Sequence, residues 1–305
     1  MIQEIRIKNY LSFRDEVVLS FEATKDTTFE ECQVANVTPK VRLLRFALIY
    51  GANASGKSNL LKAMDFLRDF WFDKKSDIDE DTGVVPFLLD TETPNEPSEF
   101  NIKFFVGDKR YWYVLVLDDK QVIKEDLYVY NSVQPSLVFS RELDGTASLI
   151  KLNASLVKAN ATIVEQLNVK CLSNMSFFAA RNQVNCSLAY IDEVRDWMKN
   201  NMMPIIEPGT RMFEYAGKQM EKNAELKAYI LDFVHKADYN ITDVYTEREK
   251  VPIPDFVKTS IMEDKDIPEK TKEKMLADNA LERLRTDFQH TVKNKRGEEN
   301  YRLPN

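Results

Sequence analysis

Apolar and polar residues alternate along residues 2–13, the period of a strand with one buried face. Residues 17–21 repeat the pattern and predict a second strand. Residues 43–50 form a short, almost wholly apolar run that suits a buried strand, and in residues 59–72 Leu60, Met64, Leu67 and Trp71 recur at helical spacing. A connector rich in Asp, Thr and Pro fills residues 73–98. Alternating aromatic and β-branched runs then occupy residues 99–105, 111–117, 123–128 and 137–142. Gly107-Asp108, Asp118-Asp119 and Asp144-Gly145 separate them, which predicts antiparallel hairpins. From about residue 152 the pattern turns helical. Ile191, Val194 and Met198 form one stripe, with Trp197 adjoining it, and Leu226, Ile230, Phe233 and Val234 form another. Pro252, Pro254 and Pro268 break the later chain into pieces, and residues 255–290, dense in Lys and Glu, read as an exposed helical arm. The chain shows no internal repeat, and its expected division lies after residue 150.

The candidate chemistry sits between the buried run and the first helix. Gly51, Ala52, Asn53, Ala54, Ser55, Gly56, Lys57 and Ser58 fit G-x-x-x-x-G-K-[ST], the phosphate-binding loop of nucleotide triphosphatases. The glycines let the backbone curl so that successive N–H groups face phosphate oxygens. Lys57 can reach the β- and γ-phosphates, Ser58 offers a hydroxyl to Mg²⁺, and the following helix turns its positive end to the anion. Two of only 8 glycines in the chain belong to this one motif. The plain alternative is a glycine-containing surface turn beside a core helix, and the flanking strand and helix patterns argue against it.

The residues around the loop carry a longer pattern. Asn9-Tyr10-Leu11-Ser12-Phe13 closes the first strand, and Asn53, Ser55, Asn59, Leu60, Leu61 and Ala63 extend the motif to G-x-N-x-S-G-K-S-N-L-L-x-A. In these residues the chain resembles the SMC/RecF-like branch of the ABC-type ATPases. The later order of strands is similar to that of bacterial "ATP/GTP-binding" AAA ATPases found beside phage-defence and abortive-infection genes. The resemblance implies an α/β P-loop NTPase of ABC-ATPase type, with an antiparallel β-subdomain and a helical insertion. Residues 1–150 would be the N-terminal part of the nucleotide-binding domain and residues 151–305 a helical subdomain or arm. It further implies ATP rather than GTP, with Mg²⁺, bound from residue 51 to Asn59. Two subunits would sandwich the nucleotide, and an effector partner (a nuclease or toxin) or DNA would receive the output. Arg14 lies where the family's first strands approach the nucleotide. It would touch a phosphate or the base, or else be an exposed hairpin arginine.

Other family parts are missing or only imitated. No Gln occurs between Gln33 and Gln121, where the family places a Mg²⁺-sensing glutamine; Asp90 is a substitute candidate, with a turn residue as the alternative. An ABC-type ATPase also needs an S-x-G signature and a Walker B strand ending in Asp-Glu, whose acids hold Mg²⁺ and activate water. Residues 113–119 end an apolar run in Asp118-Asp119, which reads as a hairpin turn. Leu188-Ala-Tyr-Ile-Asp192-Glu193 is the better imitation and would make Asp192 and Glu193 catalytic, but the helical stripe through Ile191, Val194 and Met198 favours an incidental pair on a helix. In the resembling family, signature and Walker B come after a segment like residues 290–303, so the resemblance implies an N-terminal fragment.

Composition narrows the partners. A net charge of −7 with 30% charged residues describes an acidic soluble protein, and no apolar run is long enough to span a membrane. The strand pattern at the N-terminus without a secretion signal, together with three cysteines that read as reduced thiols, places the expected protein in the cytoplasm. Three cysteines without metal spacing and 2 histidines speak against a zinc site. Lys8, Arg14, Lys40, Arg42 and Arg45, and separately Lys293, Lys295 and Arg296, are the basic clusters that a nucleic acid would need; solvated charge is the simpler reading.

Overall fold

The computed structural model describes all residues except 208, 211, 238–239, 264–268, 278, 295–296 and 305. The chain divides into two compact units, residues 1–205 and 206–305. The boundary expected after residue 150 falls inside the first unit, because the helices beyond it cover the same sheet as the helix that follows the phosphate loop.

The first unit is built on a seven-stranded antiparallel sheet. Its strands are β1 (Ile2–Lys8), β2 (Val17–Ser20), β5 (Ser98–Val106), β6 (Lys109–Leu117), β7 (Val122–Tyr130), β8 (Ser136–Asp144) and β9 (Ala147–Leu152), in the order β2-β1-β5-β6-β7-β8-β9. The two omitted strands, β3 (Val34–Thr38) and β4 (Val41–Leu44), pair separately beside the short helix α1 (Glu30–Gln33). Alternation does what it predicts: along β6, Tyr111, Tyr113, Leu115 and Leu117 are fully buried while the residues between them are half-exposed. The hairpin between β5 and β6 turns at Gly107, whose φ of +59° suits a residue without Cβ. Asp118 lies in the β6–β7 turn, where its carboxylate accepts from Lys120 N–H and Gln121 N–H at 2.8 Å, so the expected turn there is a turn and no Walker B strand.

Four helices join this core: α2 (Lys57–Phe70), α3 (Ala161–Lys170), α4 (Phe177–Arg181) and α5 (Ile191–Asn201). From α2, Leu60, Ala63, Leu67 and Phe70 are buried, and from α5 the stripe Ile191, Val194 and Met198. Phe139 stacks on Phe177 at 4.0 Å and Phe104 on Trp197 at 4.3 Å, fixing the helices by aromatic packing.

A buried polar knot ties α4 to the sheet. Glu125 and Arg141 have no exposed side-chain surface and approach to 3.5 Å. The Glu125 carboxylate also accepts from Tyr113 hydroxyl (2.9 Å), Ser176 hydroxyl (2.8 Å) and Phe177 N–H (2.7 Å). Arg141 donates to Ser148 Oγ and to the Leu172 and Ser173 carbonyls. Burial pushes the Glu125 carboxyl above its usual range, opposed first by the Arg141 charge and then by the Phe177 N–H.

Two expectations fail here for physical reasons. Residues 46–50 are no strand: β4 stops at Leu44, where its pairing with β3 ends, and none of the main-chain groups of 46–50 is hydrogen-bonded among the described residues. Phe46, Leu48, Ile49 and Tyr50 are exposed, Tyr50 to 91%, so the apolar run before the loop lacks both the pairing and the burial its composition suggested. The helical reading of the later chain fails in part. The second unit has helices α6 (Phe213–Lys222), α7 (Ala224–Lys236), α8 (Asp255–Glu263) and α9 (Glu269–Ala277), but also an antiparallel sheet of β10 (Asp243–Pro252), β11 (Ala280–Asn294) and β12 (Gly297–Pro304). There long charged side chains pair across strands instead of along a helix: Arg302 reaches Glu247 and Asp287, each at 2.8 Å, and lies over the Tyr245 ring. The stripe Leu226, Ile230, Phe233 and Val234 lies on α7, which has no fully buried residue. Pro268 lies outside the described residues.

Removing one member of the knot should unfold the first unit readily. Arg141→Ala leaves a buried carboxylate without its counter-charge and should cost about 3–5 kcal/mol in urea denaturation. A loss below about 1 kcal/mol would mean that the knot does not hold α4 to the sheet.

Candidate phosphate-binding site

The site begins where β1 ends. Asn9 is fully buried with φ of +52°, a backbone that asparagine tolerates better than most residues. Its Nδ2 donates to the carbonyls of Thr93 (2.7 Å) and Glu96 (2.8 Å), and its Oδ1 accepts from Phe87 N–H at 3.0 Å. Ser98 hydroxyl donates to the Asn9 carbonyl. The chain then turns tightly, with Tyr10 N–H bonded to Phe13 carbonyl and Phe13 N–H to Tyr10 carbonyl, while Leu11 N–H donates to Val85 carbonyl. Asn9 thus binds the connector segment 85–98 to one side of this turn.

The other side of the turn faces the loop. Gly56 precedes α2 with φ of +86°, and a Cβ there would stand 2.7 Å from Ser12 Oγ and 3.1 Å from the Phe13 ring. Glycine is required both by the backbone and by the space. Asn59, in the first turn of α2, donates from Nδ2 to Ser12 Oγ at 2.9 Å.

Loop and helix start have the donors that an anion needs. Among the described residues, the main-chain N–H groups of Asn53, Ala54, Gly56, Lys57 and Ser58 have no protein acceptor. The first turn of α2 holds no acidic residue, so nothing neutralises its positive end. Lys57 folds back over the loop, its ammonium donating to the carbonyls of Gly51 (2.9 Å) and Ala52 (2.6 Å). Ser55 N–H donates to the Ala52 carbonyl and closes the loop on itself. Residues 51–55 and Ser58 are exposed. These donors fit a polyphosphate, and the Ser58 hydroxyl, free of protein partners among the described residues, fits a cation accompanying it.

The remaining candidates are placed elsewhere or engaged. Arg14 and Asp90 pair with each other, Nε to Oδ2 at 3.1 Å. Asp90 also accepts from Glu92 N–H at 2.8 Å, and that bond first, then the Arg14 charge, holds its carboxyl below the usual range. Asp90 is therefore a turn residue, as the plainer alternative had it. Asp192 and Glu193 open α5, not a strand. Asp192 accepts from Leu188 N–H at 2.8 Å and pairs with Arg181 (2.8 Å) and Arg195 (3.3 Å). Glu193 accepts from Lys109 (2.8 Å) and from Tyr111 hydroxyl (3.2 Å). Lys109 begins β6 opposite Val106, whereas the turn at residues 10–13 follows Lys8, opposite Glu99. Seven or eight strand residues at about 3.3 Å each put Glu193 on the order of 25 Å from the loop end of the sheet. The pair is therefore corrected from a catalytic reading to two ion-paired carboxylates in the first turn of a helix, Asp192 with Arg181 and Arg195 and Glu193 with Lys109.

Of the basic residues near the N-terminus, Lys8 pairs with Glu99, and Arg42 with Glu30 and with two carbonyls, while Arg45 donates to the Val34 carbonyl. These charges are individually engaged instead of forming a bare patch. Lys295 and Arg296 lie outside the described residues, as does the side chain of Lys293. Among the described residues no group of His, Cys, Asp and Glu is arranged to hold a metal, and no helix is long and apolar enough to cross a membrane. Ser12 is the site residue that sequence reasoning passed over. Only its place in the Asn9–Phe13 pattern pointed to it, because its contact with Gly56 spans more than forty residues of chain.

A glycine-bounded loop with unpaired amides, opening a helix that packs on a β-sheet, defines an α/β P-loop NTPase. Residues 46–151, about a third of the chain, match the family described as "AAA domain, putative AbiEii toxin, Type IV TA system". The match is to AAA-type P-loop ATPases broadly and is not specific to the SMC/RecF-like branch. No curated protein and no solved structure matches the chain.

Because Glu193 is tied to Lys109 and Tyr111, Glu193→Gln should leave ATP affinity within about two-fold of the starting protein, while costing at most about 1 kcal/mol of stability. Calorimetric titration and urea denaturation read the two effects separately. A large loss of affinity would return Glu193 to the nucleotide site.

Proposed function

We propose that this protein binds Mg-ATP at residues 51–59 and couples its binding and hydrolysis to the opening and closing of a dimer, as an ABC-type ATPase. The observation that carries this reading is the set of five unpaired main-chain amides, at Asn53, Ala54, Gly56, Lys57 and Ser58, beside the Lys57 ammonium at the start of α2. The amides and Lys57 would hold the phosphates, and Ser58 would be the protein's ligand to Mg²⁺. The metal, when bound, supplies charge neutralisation between the phosphate oxygens. Lys57 would exchange its bonds to the Gly51 and Ala52 carbonyls for bonds to phosphate oxygens, which as anions are stronger acceptors.

The output we propose is control of an effector, a nuclease or toxin, in anti-phage or toxin–antitoxin defence, or an action on DNA. The family description of residues 46–151 supports the toxin–antitoxin setting. A second reading is a non-hydrolysing ATP sensor or scaffold that binds a partner through its helical half. It draws on the engagement of Asp192 and Glu193 away from the loop, and on the exposed Tyr229, Phe233, Phe256 and Met262 of α7 and α8. Hydrolysis of ATP by the purified chain would overturn the second reading.

Lys57→Ala should weaken ATP binding about 10- to 100-fold in calorimetric titration, the scale of a lost charge-assisted hydrogen bond. Unchanged affinity would end the assignment of the loop.

A further inference from the structure

The loop is mostly held by itself. Its bonds from Lys57 to Gly51 and Ala52 and from Ser55 to Ala52 run within residues 51–57. Among the described residues, a single hydrogen bond joins residues 51–59 to another element: Asn59 Nδ2 to Ser12 Oγ, 2.9 Å. The same Ser12 oxygen lies at the face of Gly56 where a Cβ would have to go. One hydroxyl therefore sets both the first turn of α2 and the approach of the loop to the β1–β2 turn. Behind it the turn is rigid, since Asn9 and Leu11 bind it to Phe87, Thr93, Glu96 and Val85.

We infer that Ser12 and Asn59 are a positioning pair for nucleotide binding, which rests on the reading of residues 51–58 as the phosphate site. Neither residue needs to touch the nucleotide. Their bond holds the start of α2, and with it the amides of Gly56, Lys57 and Ser58, against a fixed support. Without it the amides that bind phosphate must be ordered at the moment of binding, and affinity falls by that cost. Ser12 is exposed and Asn59 half-exposed, so removing the bond does not open the core.

The test is a cycle of Ser12→Ala, Asn59→Ala and the double variant in the full chain, with ATP affinity measured by calorimetric titration in the presence of Mg²⁺. Each single variant should bind ATP about five-fold more weakly, the scale of one net hydrogen bond, and the double variant no more weakly than either single. Ser12→Thr, which keeps the hydroxyl, should retain the starting affinity, and all variants should melt without nucleotide within a few degrees of the starting protein. Singles with unchanged affinity, or a double variant that loses the product of the two single effects, would overturn the pair while leaving the phosphate site standing. Failure of the unaltered protein to bind ATP would overturn the phosphate site and the pair together.

Discussion

The site depends on how β1 ends. A buried asparagine in the left-handed region would be costly unless its polar atoms were satisfied, and at Asn9 both are: the amide nitrogen by two carbonyls and the oxygen by a main-chain N–H. These bonds hold a connector with little regular structure of its own, residues 85–98, against the sheet end. They also fix the turn at residues 10–13 in the place where Ser12 meets Gly56. An alanine at position 9 would leave several buried main-chain groups without partners and a strained backbone with nothing to compensate it. Sheet, connector and loop thus converge on a side chain that takes no part in chemistry.

The parts of the fold legible in the sequence are those set by local periodicity. Strand β6 alternates strictly, and β5 over most of its length, because one face is packed against α2, α4 and α5, and the hairpin turns at Gly107-Asp108 and Asp118-Asp119 carry Gly or Asp where the backbone needs them. The loop was legible because its residue types are dictated by atoms a few positions away. The illegible parts depended on partners distant in sequence. Residues 46–50 are as apolar as a buried strand, yet whether they form one is decided by neighbouring backbone, which they lack here. Residues 280–294 are rich in Arg and other long polar side chains that serve a helix or a strand equally well, and cross-strand pairs such as that of Arg302 with Asp287 settled the matter. The Asp192-Glu193 pair imitated a catalytic strand end because four residues of composition carry no information about period. The helical stripe that continues through Met198 did carry it, and it was right.

The buried knot of Glu125 and Arg141 shows how a protein of this size keeps a polar core without loss. Every strand from β6 to β9 contributes a member: Tyr113, Glu125, Arg141 and Ser148. Such a group adds little net stability over an apolar core but is expensive to break. It sets register as well, since a one-residue slip of β7 would turn Glu125 to the half-exposed face and leave Arg141 alone inside. The tight carboxylate at the start of α4 also places a negative charge near that helix's first N–H groups, through Phe177.

Charge at the loop obeys the same logic on a smaller scale. The protein as a whole is acidic, with a net charge of −7, which disfavours a polyphosphate at long range. Salt screens that field within about 8 Å, so the field an approaching anion meets is set by the nearest groups. Those are unpaired amides, a helix start without an acid, and a lysine whose present partners are two neutral carbonyls. The free loop is therefore shaped in advance but satisfied weakly: Lys57 keeps its fold over the loop through bonds to neutral acceptors that an anionic acceptor surpasses by about a factor of two in strength. A loop held by stronger internal bonds would bind phosphate poorly, and one with none would have to be ordered first. The arrangement of Gly51, Ala52 and Lys57 lies between these limits, the balance that an exposed loop needs if it is to hold an anion without first being ordered.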